Sequence, residues 1–350
     1  MKYVLSLFFS ILLFTSCIDE SDHIIKFDEF PSTTKCERIE ISTPPLLYHV
    51  GGMAIVDDLL VTLDLKNDVF FQVFELKSMQ YLGEFVRRGK GPDEEVMIVP
   101  YFHAQPNGGL LYQSNTKIKI VQFDISNNQV IFKKVIPIPG SLMDLQHAFL
   151  LGDNICGYRL NMNSFNQEFL TYNPESKLIL GFGPDFPNVE QEIQKAQATI
   201  FTKVISVKPS GDLFAAAYSL FPIVRIYDST GLLVSESRYS NNQRFPIALI
   251  DQNISSSHSD EIMNNYWKIK STEKFIYALY VGKTSIDFGA YSTKIVDIAN
   301  EIHVFDWSGN PIKRIILDME IFSFAVSWDD SYIICSSLNS IDRLIKYDLL

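Results

Sequence analysis

The chain has 350 residues, 47% of them hydrophobic and 20% charged, which is enough apolar material to bury a large core. Its 41 Asp and Glu outweigh 30 Lys and Arg for a net charge of −11, which excludes nucleic-acid binding that depends on neutralising phosphates. Aromatic residues make up 13%, with 26 Phe and 16 Tyr, and lean towards strands.

The N-terminus sets Lys2 ahead of an apolar run over 4–14 broken only by Ser6 and Ser10, then Thr15 and Ser16 before Cys17. This is the pattern of a secretory signal. A spanning helix needs about 20 apolar residues and this run is about half that, so it predicts cleavage rather than a permanent transmembrane anchor. The Phe14-Thr15-Ser16-Cys17 junction resembles a bacterial lipobox, which implies lipid on the thiol and amino group of Cys17. Ile18, Asp19, Glu20, Ser21 and Asp22 follow, resembling the acidic surface-export signal of Bacteroidetes lipoproteins; a solvated linker is the alternative. Two or more acyl chains on one residue give stable membrane anchoring. The expected division is a signal over 1–16, an acidic tether over 17–30 and a folded unit over 31–350, lipid-anchored in the outer membrane and facing the periplasm or the exterior. Cleavage removes Lys2 and no acid, taking the net charge from −11 to −12.

Within the folded unit an alternating apolar run ends six times in an aromatic followed by an acid or amide: Phe74-Glu75, Phe123-Asp124, Tyr172-Asn173, Tyr227-Asp228, Phe305-Asp306 and Tyr347-Asp348. The steps are 49, 49, 55, 78 and 42 residues, the length of a four-stranded propeller blade with one insertion. Five of the six pairs lead through turn residues such as Ser126-Asn127-Asn128 and Ser308-Gly309-Asn310 into a returning strand, as at 130–135 and 312–317. Further strands precede the pairs, as at 204–207, 213–218 and 223–227, which makes four per unit. The last unit reaches Leu350 one strand short. An open edge leaves a row of unpaired backbone groups, so a short N-terminal strand, 24–27 or 37–41, is expected to pair there and close the ring. The long step contains an insertion at about 241–269 with a short helix over 260–268; a second helix is expected at 189–198. The architecture expected is therefore all-β, a six-bladed β-propeller.

After the first returning strand comes Gly83-Glu84-Phe85-Val86-Arg87-Arg88-Gly89-Lys90-Gly91-Pro92-Asp93-Glu94-Glu95, and Gly181-Phe182-Gly183-Pro184-Asp185 repeats its core at an offset of 92. Both are expected at a crossing from the outer strand of one blade to the inner strand of the next, where glycine permits and proline fixes a reversal. The motif resembles that of the six-bladed, TolB-like and NHL-related propeller lipoproteins of Bacteroidales, a likeness covering nearly all of 30–350. It implies a fold and no catalytic residues. Crossings of this kind near a channel mouth would make Arg87, Arg88 and Lys90 a basic spot for a carboxylate or sulfate; alternatively an arginine pairs with Asp93, Glu94 or Glu95 and pins the loop.

Zincin, nucleophile-elbow, phosphate-loop and calcium-loop patterns are missing from the sequence. Cys36, Cys156 and Cys335 have no zinc spacing, and their odd number leaves at least one thiol unpaired. His303 reads as a strand histidine, while His49 and His103 precede or enter inner strands and would be the acid and base, or metal ligands, of an enzyme. No cofactor is implied. The expected function is an envelope lipoprotein whose propeller binds a small-molecule, glycan or protein ligand; a hydrolase or lyase on glycan or peptide, and a scaffold of an envelope complex, are the alternatives.

Overall fold

The computed structural model describes residues 23–42, 47–105, 108–114, 116–127, 129–159, 167–188, 200–240, 263–284, 296–340 and 343–349. The signal, Cys17, the acidic cluster at 18–22 and the helix expected at 189–198 lie outside these residues.

Three short strands come first: β1 (Ile24–Phe27), β2 (Thr33–Cys36) and β3 (Ile39–Ile41). Six antiparallel sheets then follow one another along the chain. Blade I is β4 (Val50–Val56), β5 (Leu59–Asp64), β6 (Val69–Glu75) and β7 (Tyr81–Arg87). Blade II is β8 (Ile98–Gln105), β9 (Gly109–Ser114), β10 (Lys117–Asp124) and β11 (Gln129–Pro137). Blade III is β12 (Leu145–Leu151), β13 (Asn154–Arg159), β14 (Gln167–Tyr172) and β15 (Ile179–Asp185). Blade IV is β16 (Lys203–Val207), β17 (Leu213–Tyr218), β18 (Ile223–Asp228) and β19 (Leu233–Tyr239). Blade V is β20 (Met263–Ser271), β21 (Phe275–Thr284), β22 (Ala299–Asp306) and β23 (Pro311–Ile321). Blade VI has β24 (Ser323–Val326), β25 (Tyr332–Ser336) and β26 (Leu344–Asp348). The fold is thus an all-β six-bladed propeller.

Each aromatic-acid pair ends the third strand of its blade. The aromatic packs against the preceding blade, as Phe74 does on blade VI and Tyr227 on blade III, while the acid or amide caps the turn beyond: Asp228 accepts from the backbone of Thr230 and Leu232, and Asp306 from that of Ser308 and Asn310. Cores form between neighbouring blades, as where Phe71, Phe85, Phe102 and Tyr112 join blades I and II.

Blade VI takes its fourth strand from the other end of the chain. β3 pairs antiparallel with β26, Ile41 opposite Leu344 and Ile39 opposite Lys346. The two strands before it extend the same belt: β1 lies parallel on the outer edge of blade IV, Ile24 opposite Glu236, and β2 parallel on blade V, Thr33 opposite Arg314. Phe27 and Phe30 pack on Tyr239, Phe305 and His303, which gives the belt an apolar seat. Residues 24–27 therefore belong to the propeller rather than to the expected 17–30 tether.

Three further expectations are corrected. Residues 263–269 are the inner strand β20 of blade V, not part of an insertion or a helix over 260–268, because pairing with β21 from Met263 to Ser271 satisfies their backbone. Residues 241–262 lie outside the description. Gly181-Phe182-Gly183-Pro184-Asp185 falls inside the outer strand β15, not at a crossing. An edge strand tolerates Pro184 because its N–H side needs no ladder partner.

Blades III and IV meet on a buried ion-pair network. Glu168 on β14 is fully enclosed and faces Lys203 at 3.3 Å and Arg225 at 3.3 Å, while the hydroxyls of Tyr218 and Tyr227 donate to its carboxylate. Burial alone would raise its carboxyl, but Lys203 and Arg225 prevail and hold it below the ordinary value. Arg225 continues to Glu236 and to the carbonyl of Asp185. Replacing Glu168 by Ala leaves Lys203 buried without a counter-charge and Arg225 with Glu236 alone, so the expected loss is about 3–5 kcal/mol, read by chemical denaturation. A change within experimental error would show that the network is not needed to join the blades.

Candidate functional site in the central bore

The inner strands β4, β8, β12, β16, β20 and β24 surround the axis, each in contact with its neighbours. All six run the same way, so they begin at one face of the disc, here the upper, and end at the other, the lower. Blades II and V stand opposite one another across the ring. A cavity of about 220 Å³ follows the bore between β4, β8, β16, β20 and β24. It reaches from the level of Gly52, Pro100 and Lys268 to a lower mouth marked by Asp57, Gln105, Pro209 and Trp328.

Two lysines from β20 dominate its chemistry. Strand alternation sends Lys268 and Lys270 to the same side. Lys268 spans the ring: its Nζ donates to the carbonyl oxygen of Pro100 at 3.4 Å and stands 4.3 Å from the centre of the Tyr101 ring. Lys270, one step nearer the mouth, lies 5.5 Å from the Phe102 ring centre. Lys268 is 5% exposed and Lys270 is half-buried, since it borders the open part of the bore. No carboxylate among the described residues acts on either ammonium. Burial, with Lys270 adding to it, pulls Lys268 down to about 7, and burial pulls Lys270 down to about 8.

His103 lines the cavity, and His147 stands behind Tyr101 in its wall. His103 on β8 is pushed down to about 3 by burial and then by Lys270. His147 on β12 is forced well below the ordinary imidazole value by burial, with Lys268 and His103 adding to it. Both rings are therefore neutral at physiological pH. His147 stacks between Tyr101, at 3.4 Å between ring centres, and Tyr158, at 5.6 Å. Its φ of 50° falls where β12 bulges between Gln146 and Phe149, an uncommon backbone conformation for a non-glycine residue. His103 Nε2, His147 Nδ1 and Ser323 Oγ are buried polar atoms with no hydrogen-bond partner among the described residues. Chemically the bore offers positive charge, imidazole nitrogens and aromatic faces, and its one rim carboxylate is the exposed Asp57.

The residues singled out from the sequence sit elsewhere or play other parts. Arg87, Arg88 and Lys90 are exposed on the crossing from β7 to β8, at the upper face. Arg88 donates to the carbonyl oxygen of Leu65 at 3.1 Å, and its guanidinium lies 4.2 Å from the Phe70 ring centre. Glu94 accepts from the backbone N–H of Gly91, and Glu95 pairs with Lys119. The crossing residues border a separate hollow between blades I and II with Glu84, Gln129 and Phe132, outside the bore. His103 is a bore residue, but His49 precedes β4 at the upper end, its ring edge-on to Phe322 at 4.8 Å. The two histidines occupy opposite ends of their inner strands and share no contact partner. His303 is enclosed, bonded to the Tyr266 hydroxyl at 3.1 Å and to Glu301 at 3.0 Å. The three cysteines Cys36, Cys156 and Cys335 are buried free thiols. Lys268 and Lys270 are hard to see in the sequence because the polar stretch 260–268 before them suits a short helix as well as a strand. The signal was the period-two spacing Lys268-x-Lys270 beside an apolar partner strand.

Among the described residues no three His, Cys, Asp or Glu side chains gather to hold a metal ion, and no helix is long and apolar enough to cross a membrane. No curated protein matches the chain. Solved structures resemble it at low identity, which speaks for the fold alone. A member of the DUF4221 family from Bacteroides vulgatus superposes with a TM-score of 0.58 at 9% identity, covering 89% of this chain and 97% of the other. A protein from Bacteroides fragilis described as exported gives 0.58 at 13% identity, with 93% and 98% covered. A calcium-binding protein from Agrobacterium tumefaciens, regucalcin, gives 0.50 at 9%, with 91% and 95% covered. The model of the TolB-like 6-blade propeller-like family matches residues 48–329, from the loop before the first blade into the last, and the chain belongs to that family.

Proposed function

We propose that this protein is an envelope lipoprotein whose propeller binds a small organic anion in the central bore. The observation that carries this is the pair of lysines, Lys268 and Lys270, enclosed in the bore of a protein of net charge −11 with no carboxylate opposite them among the described residues. A buried ammonium normally keeps a counter-charge, and a fold that needed none there would be served by apolar residues. A ligand carboxylate supplies that charge, and His103 Nε2 and Ser323 Oγ, which line the cavity and have no partner among the described residues, supply further hydrogen-bonding positions. About 220 Å³ suits a molecule the size of a monosaccharide acid, with Tyr101 and Phe102 to line its apolar faces. The lipobox-like sequence ending at Cys17 supports the envelope address. An enzyme would require His49 and His103 to converge with an acid, and nothing in their surroundings favours that second course.

The electrostatics separate a binding role from a structural one. An unfolded lysine keeps its proton to about 10.4, whereas Lys268 and Lys270 release theirs at about 7 and about 8. The unfolded state therefore binds more protons between those values, and unliganded stability should rise as pH climbs from about 7 towards 10. Lys268→Met and Lys270→Met should each raise the melting temperature at pH 7 by a few degrees and flatten that slope; a lowered melting temperature would make the lysines structural. Calorimetric titration of the detergent-solubilised full chain with lactate, succinate, glucuronate and inorganic phosphate should show one anion bound at a single site. The affinity should fall as pH rises through 7–8, and Lys268→Met/Lys270→Met should abolish it, whereas Arg87→Ala/Arg88→Ala should leave it unchanged. Binding lost with the arginines and kept without the lysines would move the site to the crossing.

A further inference from the structure

The path of the N-terminal belt fixes where a lipid on Cys17 would hold the disc. β19 climbs from the lower face, where the turn Ser229-Thr230-Gly231 precedes it, to the upper face at Tyr239. β1 runs parallel to it, with Ile24 level with Glu236 and Phe27 level with Tyr239. His23 binds the carbonyl oxygen of Val234 through its ring at 3.0 Å, near the lower end of that strand. The described chain thus begins at the rim of blade IV, near the lower end of β19. The lower face is the one on which the bore opens, between Asp57, Gln105, Pro209 and Trp328.

Only 18–22 separate Cys17 from His23. Six extended steps reach at most about 20 Å. His23 stands level with Ser235, so turning the upper face to the membrane would spend about 13 Å of that reach climbing back to the level of Tyr239, leaving about 7 Å to clear the rim and meet the bilayer. We infer that the tether holds the lower face, and with it the mouth of the bore, towards the membrane surface that bears the Cys17 lipid, so that the bore draws its anion from the gap between the disc and the headgroups. The inference rests on the lipidated, ligand-binding role proposed above. The lower turns carry Asp57, Asp153, Asp212, Asp228, Asp306 and Asp329, which repel anionic headgroups and keep a hydrated gap rather than a sealed contact. An anion entering that gap passes the acidic rim to reach Lys270 and then Lys268.

The test uses the full, lipidated chain in phosphatidylcholine vesicles. The three cysteines beyond Cys17 are buried, so a single surface cysteine can be labelled selectively. Ser210→Cys marks the lower turn between β16 and β17, and Asp93→Cys the upper crossing between β7 and β8; both positions are exposed. Energy transfer to a headgroup acceptor should be at least about twofold more efficient from residue 210 than from residue 93, given the height of a blade. A long Gly/Ser insertion after Asp22 should erase the difference. Equal or reversed efficiencies, with lipid on Cys17 verified by mass, overturn the inference, and equality is also the signature of an edge-on disc. A difference that survives the insertion overturns it too, since the tether would then not be the cause. Absence of lipid on Cys17 removes the anchor and overturns it while leaving anion binding in the bore to stand or fall on its own titration.

Discussion

A closed ring of sheets has no free end, and the pairing of β26 with β3 is the constraint on which the rest of this molecule depends. The C-terminal blade contains three strands of its own, and without a fourth the backbone groups along β26 would face solvent next to a hydrophobic interior. The N-terminal segment supplies that strand and goes further. By laying β1 and β2 on blades IV and V it ties three consecutive blades together before the chain enters blade I. Each belt strand adds hydrogen bonds to an outer edge and seats apolar side chains such as Phe27, Phe30 and Cys36 into existing cores. The two end segments of the described chain are thus coupled, and blade IV carries its first strand.

Closure also brings six inner strands around one axis, and there the protein treats buried charge in two opposite ways. At the junction of blades III and IV, Glu168 is encircled by Lys203, Arg225 and two tyrosine hydroxyls, so its lone pairs are satisfied and its charge is balanced. Across the bore, Lys268 and Lys270 have aromatic rings and one carbonyl for company. The first arrangement specifies how two blades meet. The second costs stability and returns one hydrogen bond to Pro100, which is why the proposed anion site is placed there. The left-handed backbone at His147 and the unpartnered histidine nitrogens lie on the same stretch of wall, so strain and unmet hydrogen-bonding capacity coincide with unmet charge.

The upper and lower faces of the disc differ in kind. The glycine-rich crossing with Arg87, Arg88 and Lys90 belongs to the upper face, where Arg88 is occupied in bonding Leu65 and covering Phe70, and where Glu94 and Gly91 shape the reversal. The bore opens below. A crossing does lead into an inner strand, but it does so at the end where that strand begins, and the strand carries the chain away from it towards the mouth.

Local pattern alone determined the blades. Alternating apolar runs, turn residues and an aromatic-acid pair at each third strand are short-range signals, and they marked strands such as β17 and β18 to within a residue because neighbouring positions decide whether a segment pairs and turns. The missing strand in the last unit was likewise legible, since counting strands needs no coordinates. Which N-terminal segment paired with which blade was not, because Ile24–Phe27 and Ile39–Ile41 are equally short and apolar; only the order of blades around the ring sends the first to blade IV and the second to blade VI. The candidate site lay furthest from view. Lys268 and Lys270 meet Pro100, Tyr101 and Phe102 more than 160 residues away, across a diameter that exists only after six sheets have closed. Sequence fixes the side of a strand on which a lysine stands, but whether that side meets water, an acid or an empty bore is decided by the sheets that come to surround it.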